Sequence, residues 1–186
     1  MHFTLCDLAS DIVQNAAESG ASLVSFEIKE SDSEFSFILS DNGKGMTAFE
    51  LEKAKDPFHT DGIKHPNRRV GLGIPFLIQT ASQDGSSWSI ESEKGKGTTV
   101  EARFNLLNID TPPVGDVRGL IRTVLMFQGP AELQVKRSRE TGQMRNAYEL
   151  AKSELMDVLG SLEDAGALVL LDTYLRSLEE IENNNE

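Results

Sequence analysis

Apolar residues recur at spacings of three and four along Leu5, Leu8, Ile12 and Ala16, and Gly20 supplies a stop. That spacing predicts an amphipathic helix near the start of the chain. Val24-Ser25-Phe26-Glu27-Ile28 and Phe35-Ser36-Phe37-Ile38-Leu39 alternate instead, and the turn-forming Glu30-Ser31-Asp32-Ser33 lies between them. A period of two on both sides of a turn predicts an antiparallel hairpin. A short helix is expected around Thr47 to Ala54, followed by an aperiodic loop from Pro57 to Arg69. Gly71-Leu72-Gly73 then opens a second helix whose stripe is Ile74, Leu77, Ile78 and Ala81. Alternation returns in Trp88-Ser89-Ile90-Glu91 and in Thr98 to Phe104, joined by Lys94-Gly95-Lys96-Gly97, which predicts a second hairpin.

The pattern breaks at Asn108-Ile109-Asp110-Thr111-Pro112-Pro113, where two prolines stiffen the chain. The break divides the sequence into residues 1–108 and a C-terminal region, residues 114–182. The second region is expected to hold a helix from Asp116 to Phe127, a hairpin across Glu140-Thr141-Gly142, and two helices ending near Ile181. With 186 residues, the expectation is one main core and an appendage.

Composition narrows the function classes. A hydrophobic fraction of 39% and a charged fraction of 26% are those of a folded chain. A net charge of −12 disfavours nucleic acid and anionic lipid, both of which bind basic surface. No apolar run approaches the roughly 18 residues of a membrane span, and the N-terminus has no basic segment leading into an apolar one. The single cysteine, Cys6, forms no internal disulfide and fits a reducing cytoplasm, with a structural thiol on an apolar helix face. The expectation is a cytoplasmic protein with neither a nucleic-acid nor a membrane partner.

Four short patterns carry candidate chemistry. Asp11 and Asn15 lie four apart on one helix face, where an amide oxygen suits Mg²⁺ and a carboxylate suits a water molecule as general base. Alone, that pair also describes a solvated helix face. In Asp41-Asn42-Gly43-Lys44-Gly45-Met46 the carboxylate continues the buried side of Phe35, Phe37 and Leu39, so it needs a partner such as an adenine amino group. Gly43 and Gly45 let backbone pass close to a ring, and an ordinary Asp-Asn-Gly turn is the competing reading. In Arg69-Val70-Gly71-Leu72-Gly73-Ile74, glycines at a helix mouth leave N–H groups open to phosphate. The basic stretch before it reads as a lid or as plain solvated charge. In Gly95-Lys96-Gly97-Thr98-Thr99-Val100, Thr98 shares the core side of Val100, Ala102 and Phe104, and its hydroxyl is placed for an adenine. A hairpin turn without a functional role fits the same residues.

Together these patterns resemble the pocket of the histidine-kinase and GHKL ATPase superfamily over residues 5–105. Asp56-Pro57-Phe58-His59-Thr60 resembles the histidine-kinase Phe box. The resemblance implies the Bergerat fold, an α+β two-layer sandwich with a mixed, mostly antiparallel sheet and helices on one face. It implies ATP and Mg²⁺ as ligands, Asn15 on the metal, Asp41 on the adenine amino group, and Gly43, Gly45, Met46, Gly71, Leu72, Gly73 and Thr98 around the nucleotide.

The sequence also departs from the family. The first motif begins almost at Met1, so the expectation is a stand-alone domain without the phosphoacceptor helices of a sensor kinase. His2, His59 and His65 are poorly placed as phosphoacceptors. The family's glutamate base is shortened to Asp11, which weakens the case for fast hydrolysis and favours binding over turnover. Arg69 replaces the first glycine of the usual Gly-x-Gly-x-Gly run. The expected function is a regulatory ATPase-like protein or subunit that meets a protein partner through residues 114–182. The alternatives are a serine kinase resembling anti-sigma factors, or a non-hydrolysing nucleotide-sensing scaffold, for which the C-terminal region resembles proteins associated with hydrogenase-type redox complexes.

Overall fold

Thr4 starts the first helix, α1 (Leu5–Ala17), with a reciprocal cap: its hydroxyl accepts from Asp7 N–H at 3.1 Å, and its own N–H donates to the Asp7 carboxylate at 3.1 Å. The chain is seen here as a computed structural model that describes residues 4–57, 72–162 and 164–180. The expected stripe Leu5, Leu8, Ile12 and Ala16 is buried, and so are Cys6, Ala9, Val13 and Ala17. That wider stripe arises because neighbouring helices flank α1 on top of the sheet. Burial, aided by the nearby carboxylates Glu30 and Asp116, pushes the Cys6 thiol up to about 12.

The remaining elements are β1 (Leu23–Ser31), β2 (Glu34–Asp41), α2 (Ala48–Lys55), α3 (Gly73–Ala81), β3 (Ser87–Glu93), β4 (Gly97–Asn105), α4 (Val117–Leu125), β5 (Glu132–Thr141), β6 (Met144–Ala151), α5 (Lys152–Leu159) and α6 (Ala165–Glu179). The strands form one six-stranded sheet in the order β3-β4-β2-β1-β5-β6. All neighbours are antiparallel except β1 and β5. A parallel pair needs a crossover, and the passage from β4 through α4 supplies it.

The helices gather over the sheet face that carries Phe26, Phe35, Phe37 and Phe104, all buried. Phe26 and Phe37 meet edge to face with centroids 5.9 Å apart. Ser25, Glu27, Ser40, Glu101 and Lys136 point to the opposite, helix-free face. The molecule is thus the two-layer α+β sandwich that the resemblance implies.

The prolines at 112 and 113 do not divide this core. Just beyond them, the carbonyls of Pro113 and Val114 accept from the N–H groups of Leu5 and Cys6, each at 2.9 Å. β5 then lines up with β1, Leu133 beside Val24 and Val135 beside Phe26. The next inner position is Arg137, beside Ile28, and its side chain is only 1% exposed. Its guanidinium pairs with Glu30 and, at 3.2 Å, with Glu179 on α6. Tyr148 donates to the same Glu179 oxygen at 2.5 Å, and Asn146 bonds to the Leu178 carbonyl, so the end of α6 is pinned to the sheet.

Candidate functional site

β2 delivers Asp41 to the end of the buried face, directly opposite Thr98 at the start of β4. The carboxylate is half-buried and already held by the protein: Oδ1 accepts from Gly43 N–H at 2.8 Å and from the Ser19 hydroxyl at 3.2 Å. Both bonds end on Oδ1, and Oδ2 takes none from the described residues. The protein therefore fixes the orientation of the Asp41 carboxylate through one of its two oxygens.

The turns around Asp41 leave no room for side chains. A Cβ on Gly43 would lie 1.9 Å from the Ser19 hydroxyl oxygen, and one on Gly97 would lie 1.8 Å from the Asp41 carbonyl oxygen. Gly97 also has φ +117°, a conformation other residues rarely adopt. Ser92 ties the same region together: its hydroxyl lies 2.9 Å from Thr98 Oγ1 and 3.1 Å from the Gly97 carbonyl, and it accepts from Met46 N–H at 2.8 Å. Thr99, one residue on, turns to the helix-free face and lies 3.1 Å from Ser40 Oγ. Asn42 is spent on structure, since its side-chain oxygen Oδ1 accepts from the N–H groups of Ser22 and Leu23 at 2.9 Å each.

A second group of candidate residues lies where α1 meets the start of α3. Asn15 is exposed and Asp11 half-buried, and a Cβ on Gly73 would sit 3.5 Å from Asn15 Nδ2 and 3.4 Å from Asp11 Cβ. The first turn of α3 has no side-chain cap, and Leu72, half-buried at its N-cap, gives its carbonyl to Phe76 N–H at 2.9 Å. Among the described residues the first turn of α3 thus meets the Asp11 and Asn15 side of α1 without a side-chain cap, and helix N-termini favour anions. The two hard oxygen ligands beside it suit Mg²⁺, which keeps waters and substrate phosphates in its shell and needs few protein ligands. Among the described residues no group of three or more His, Cys, Asp or Glu forms a metal cage. Asn15, with Asp11 behind it, is what would hold such an ion.

The structure therefore places Asp11, Asn15, Leu72 and Gly73 together where α1 meets α3, and Asp41, Gly43, Gly45, Met46 and Thr98 together at the ends of β2 and β4. Gly71, Arg69, the segment Phe58 to Thr60, His65 and the basic stretch read as a lid lie outside the described residues.

A family model described as histidine kinase-, DNA gyrase B- and HSP90-like ATPase matches residues 3–108. The chain belongs to that family. The chain is similar in fold to the N-terminal domain of a DNA repair protein, at 18% identity and a TM-score of 0.50. That match covers 89% of this chain but 58% of the other, so the chain spans little more than half the length of that relative. An Aquifex aeolicus MutL ATPase domain complexed with ADP also matches, at 18% identity and a TM-score of 0.43, over 94% of this chain and 70% of that one.

The surroundings of Asp41 and Thr98 also depend on residues the sequence motifs passed over. Ser19 lies just past the end of α1, and its hydroxyl, which shares its one proton between the Ala16 carbonyl at 2.7 Å and Asp41 Oδ1 at 3.2 Å, is recognisable as a partner of Asp41 only in three dimensions. Ser92 could have been found by counting back along β3 to the residue opposite Thr98. Among the described residues no helix is long and apolar enough to cross a membrane.

Proposed function

We propose that the chain binds ATP together with Mg²⁺ in the cleft between α1, α3 and the ends of β2 and β4. The observation that carries this reading is the Asp41 carboxylate. One oxygen is fixed by Gly43 and Ser19, and the other is open to an amino group beside the Thr98 hydroxyl. Adenine offers an amino group there, whereas guanine presents a carbonyl oxygen that a carboxylate repels. At the other end of the cleft the mouth of α3 takes the phosphates, Asn15 holds the ion, and Asp11 orients a water for slow hydrolysis.

In this reading the protein is a cytoplasmic regulatory ATPase or subunit, and residues 114–182 meet its protein partner. Support for that second role comes from α6, which exposes Val169, Leu170 and Tyr174. The test is a calorimetric titration with ATP and GTP, with and without Mg²⁺. ATP is expected to bind with Mg²⁺-dependent affinity and GTP much more weakly. Equal affinities for the two nucleotides would overturn the assignment of Asp41.

A further inference from the structure

The sheet ends at β6, and among the described residues nothing pairs with its outer edge. Such edges are normally blunted by short strands, prolines, bulges or charged side chains, because bare strand edges recruit other chains. β6 has no proline, and its outward charges are of both signs.

The register of the β5–β6 hairpin identifies which groups face outward. Thr141 opposes Met144 across the two-residue turn Gly142-Gln143, and Gly142 has φ +56°, as the first position of a type II′ turn requires. The pair flanking such a turn exchanges backbone hydrogen bonds, so Met144, Asn146, Tyr148 and Leu150 bond toward β5. Arg145, Ala147 and Glu149 then direct their N–H and C=O groups away from the sheet. The same three residues are exposed.

We propose that β6 is a self-complementary edge through which two copies of this chain pair, antiparallel and centred on Ala147. In that register Ala147 faces its own copy, and Arg145 of each chain faces Glu149 of the other. β5 extends the pattern, because Glu140 lies beside Arg145, Ser138 beside Ala147 and Lys136 beside Glu149. The outer rows across the joined sheet therefore read Glu140, Arg145, then Glu149 and Lys136 of the second copy, with the sign alternating at every step. The central row is Ser138, Ala147, Ala147 and Ser138, small enough to place no bulk at the symmetry axis. Other registers lose this match. Centring on Arg145 or Glu149 sets like charges opposite each other, and centring on Asn146 or Tyr148 sets each charge against a neutral residue. The inner-face residues Asn146 and Tyr148 are already bonded to α6, so the backbone edge and the helix-free face carry the contact.

Sedimentation velocity of the whole chain over a concentration series tests this. The expected result is a monomer–dimer equilibrium that weakens as salt rises, because the ion-pair rows are exposed. Arg145→Glu and Glu149→Arg should each weaken self-association by about tenfold, since each sets two like-charge pairs across the axis. An equimolar mixture of the two variants should dimerise again, because every glutamate of the Arg145→Glu edge then faces an arginine of the Glu149→Arg edge. Any damage that either substitution does within its own chain is the same alone and mixed, so rescue on mixing isolates the interchain contact. Ala147→Pro removes the outward N–H at the axis without touching the β5 ladder and should leave a folded monomer. A wild-type chain that stays monomeric throughout, single variants that dimerise as the wild type does, or a mixture that shows no rescue would each overturn the proposal.

Discussion

Replacing Arg137 by Met removes one cation from a site where it answers two carboxylates. Its guanidinium pairs with Glu30 and Glu179 and donates to the Ser138 carbonyl at 3.0 Å, and its side chain is 1% exposed. The Glu30 and Glu179 side chains are 15% and 14% exposed, so little water can replace the lost partner. Deleting one member of a buried ion pair typically costs about 3–5 kcal/mol. The lower end applies here, because Glu179 keeps the Tyr148 hydroxyl and Glu30 keeps Arg139, whose Nε lies 4.0 Å away. A loss of about 3 kcal/mol in a chain of this size lowers Tm by roughly 6–12 °C. Calorimetry and urea unfolding measure it directly. The combination Glu30→Gln, Arg137→Met, Glu179→Gln should recover part of the loss, since it leaves no unpaired carboxylate, and the part not recovered falls to Arg139, which loses Glu30. A loss below about 1 kcal/mol would mean that the cluster is solvated, and a triple variant no better than Arg137→Met would trace the defect to packing.

Asp41→Asn should keep the Gly43 contact through its amide oxygen while turning an NH₂ group toward the adenine, weakening ATP binding by about 1–3 kcal/mol. An unchanged ATP-to-GTP ratio in a parallel titration would refute the role given to Asp41. Asn15→Ala should remove the Mg²⁺ dependence of ATP binding and leave adenosine affinity nearly intact, and a parallel loss of adenosine binding would mean that Asn15 only holds the fold. Cys6 should resist alkylation in the native protein at pH 8 and react once the chain is denatured, because burial keeps the thiol protonated. Its folded value, about 12, lies above the ordinary 9.0, so the folded state holds the proton more tightly. Its contribution to stability is then complete below pH 9 and declines as pH rises from 9 toward 12, a trend that unfolding curves of Cys6→Ala should lack.

Local pattern made the elements of this fold legible. The stripe of α1, the alternation of β1 and β2, and the turn at Lys94 to Gly97 each rest on residues near one another in sequence, where side-chain period and turn chemistry act directly. The parallel pairing of β1 with β5 joins positions more than a hundred residues apart, and nothing in either strand's own pattern names the other. The turn at Gly142 announced the β5–β6 hairpin, but Arg137, a charge at an inner position after Leu133 and Val135, obscured which face of β5 is buried. At the site, Asp41 and Thr98 could be placed by counting faces along their strands. Ser19 could not, since its part depends on how the end of α1 meets the loop after β2, a matter of packing and not of period. Strand period alone makes a ligand the necessary partner of Asp41. The protein itself supplies two hydrogen bonds to one oxygen, and the claim on a nucleotide falls to the other.

The side-by-side run of β1 and β5 bears on where this chain could be cut. The family match stops at residue 108, which makes a fragment ending there an obvious unit to express. It would strip β1 of the neighbour that accompanies it from Leu23 to Ser31 and expose Val24, Phe26 and Ile28 along a bare margin. It would also take away the Pro113 and Val114 carbonyls that anchor the first turn of α1, the helix that bears Asn15. A fragment trimmed to the homologous segment is therefore expected to aggregate or lose its grip on nucleotide. The last third of the chain acts as a splint for the first, so any insertion, fusion or truncation intended to leave the pocket intact has to leave β5 in its place.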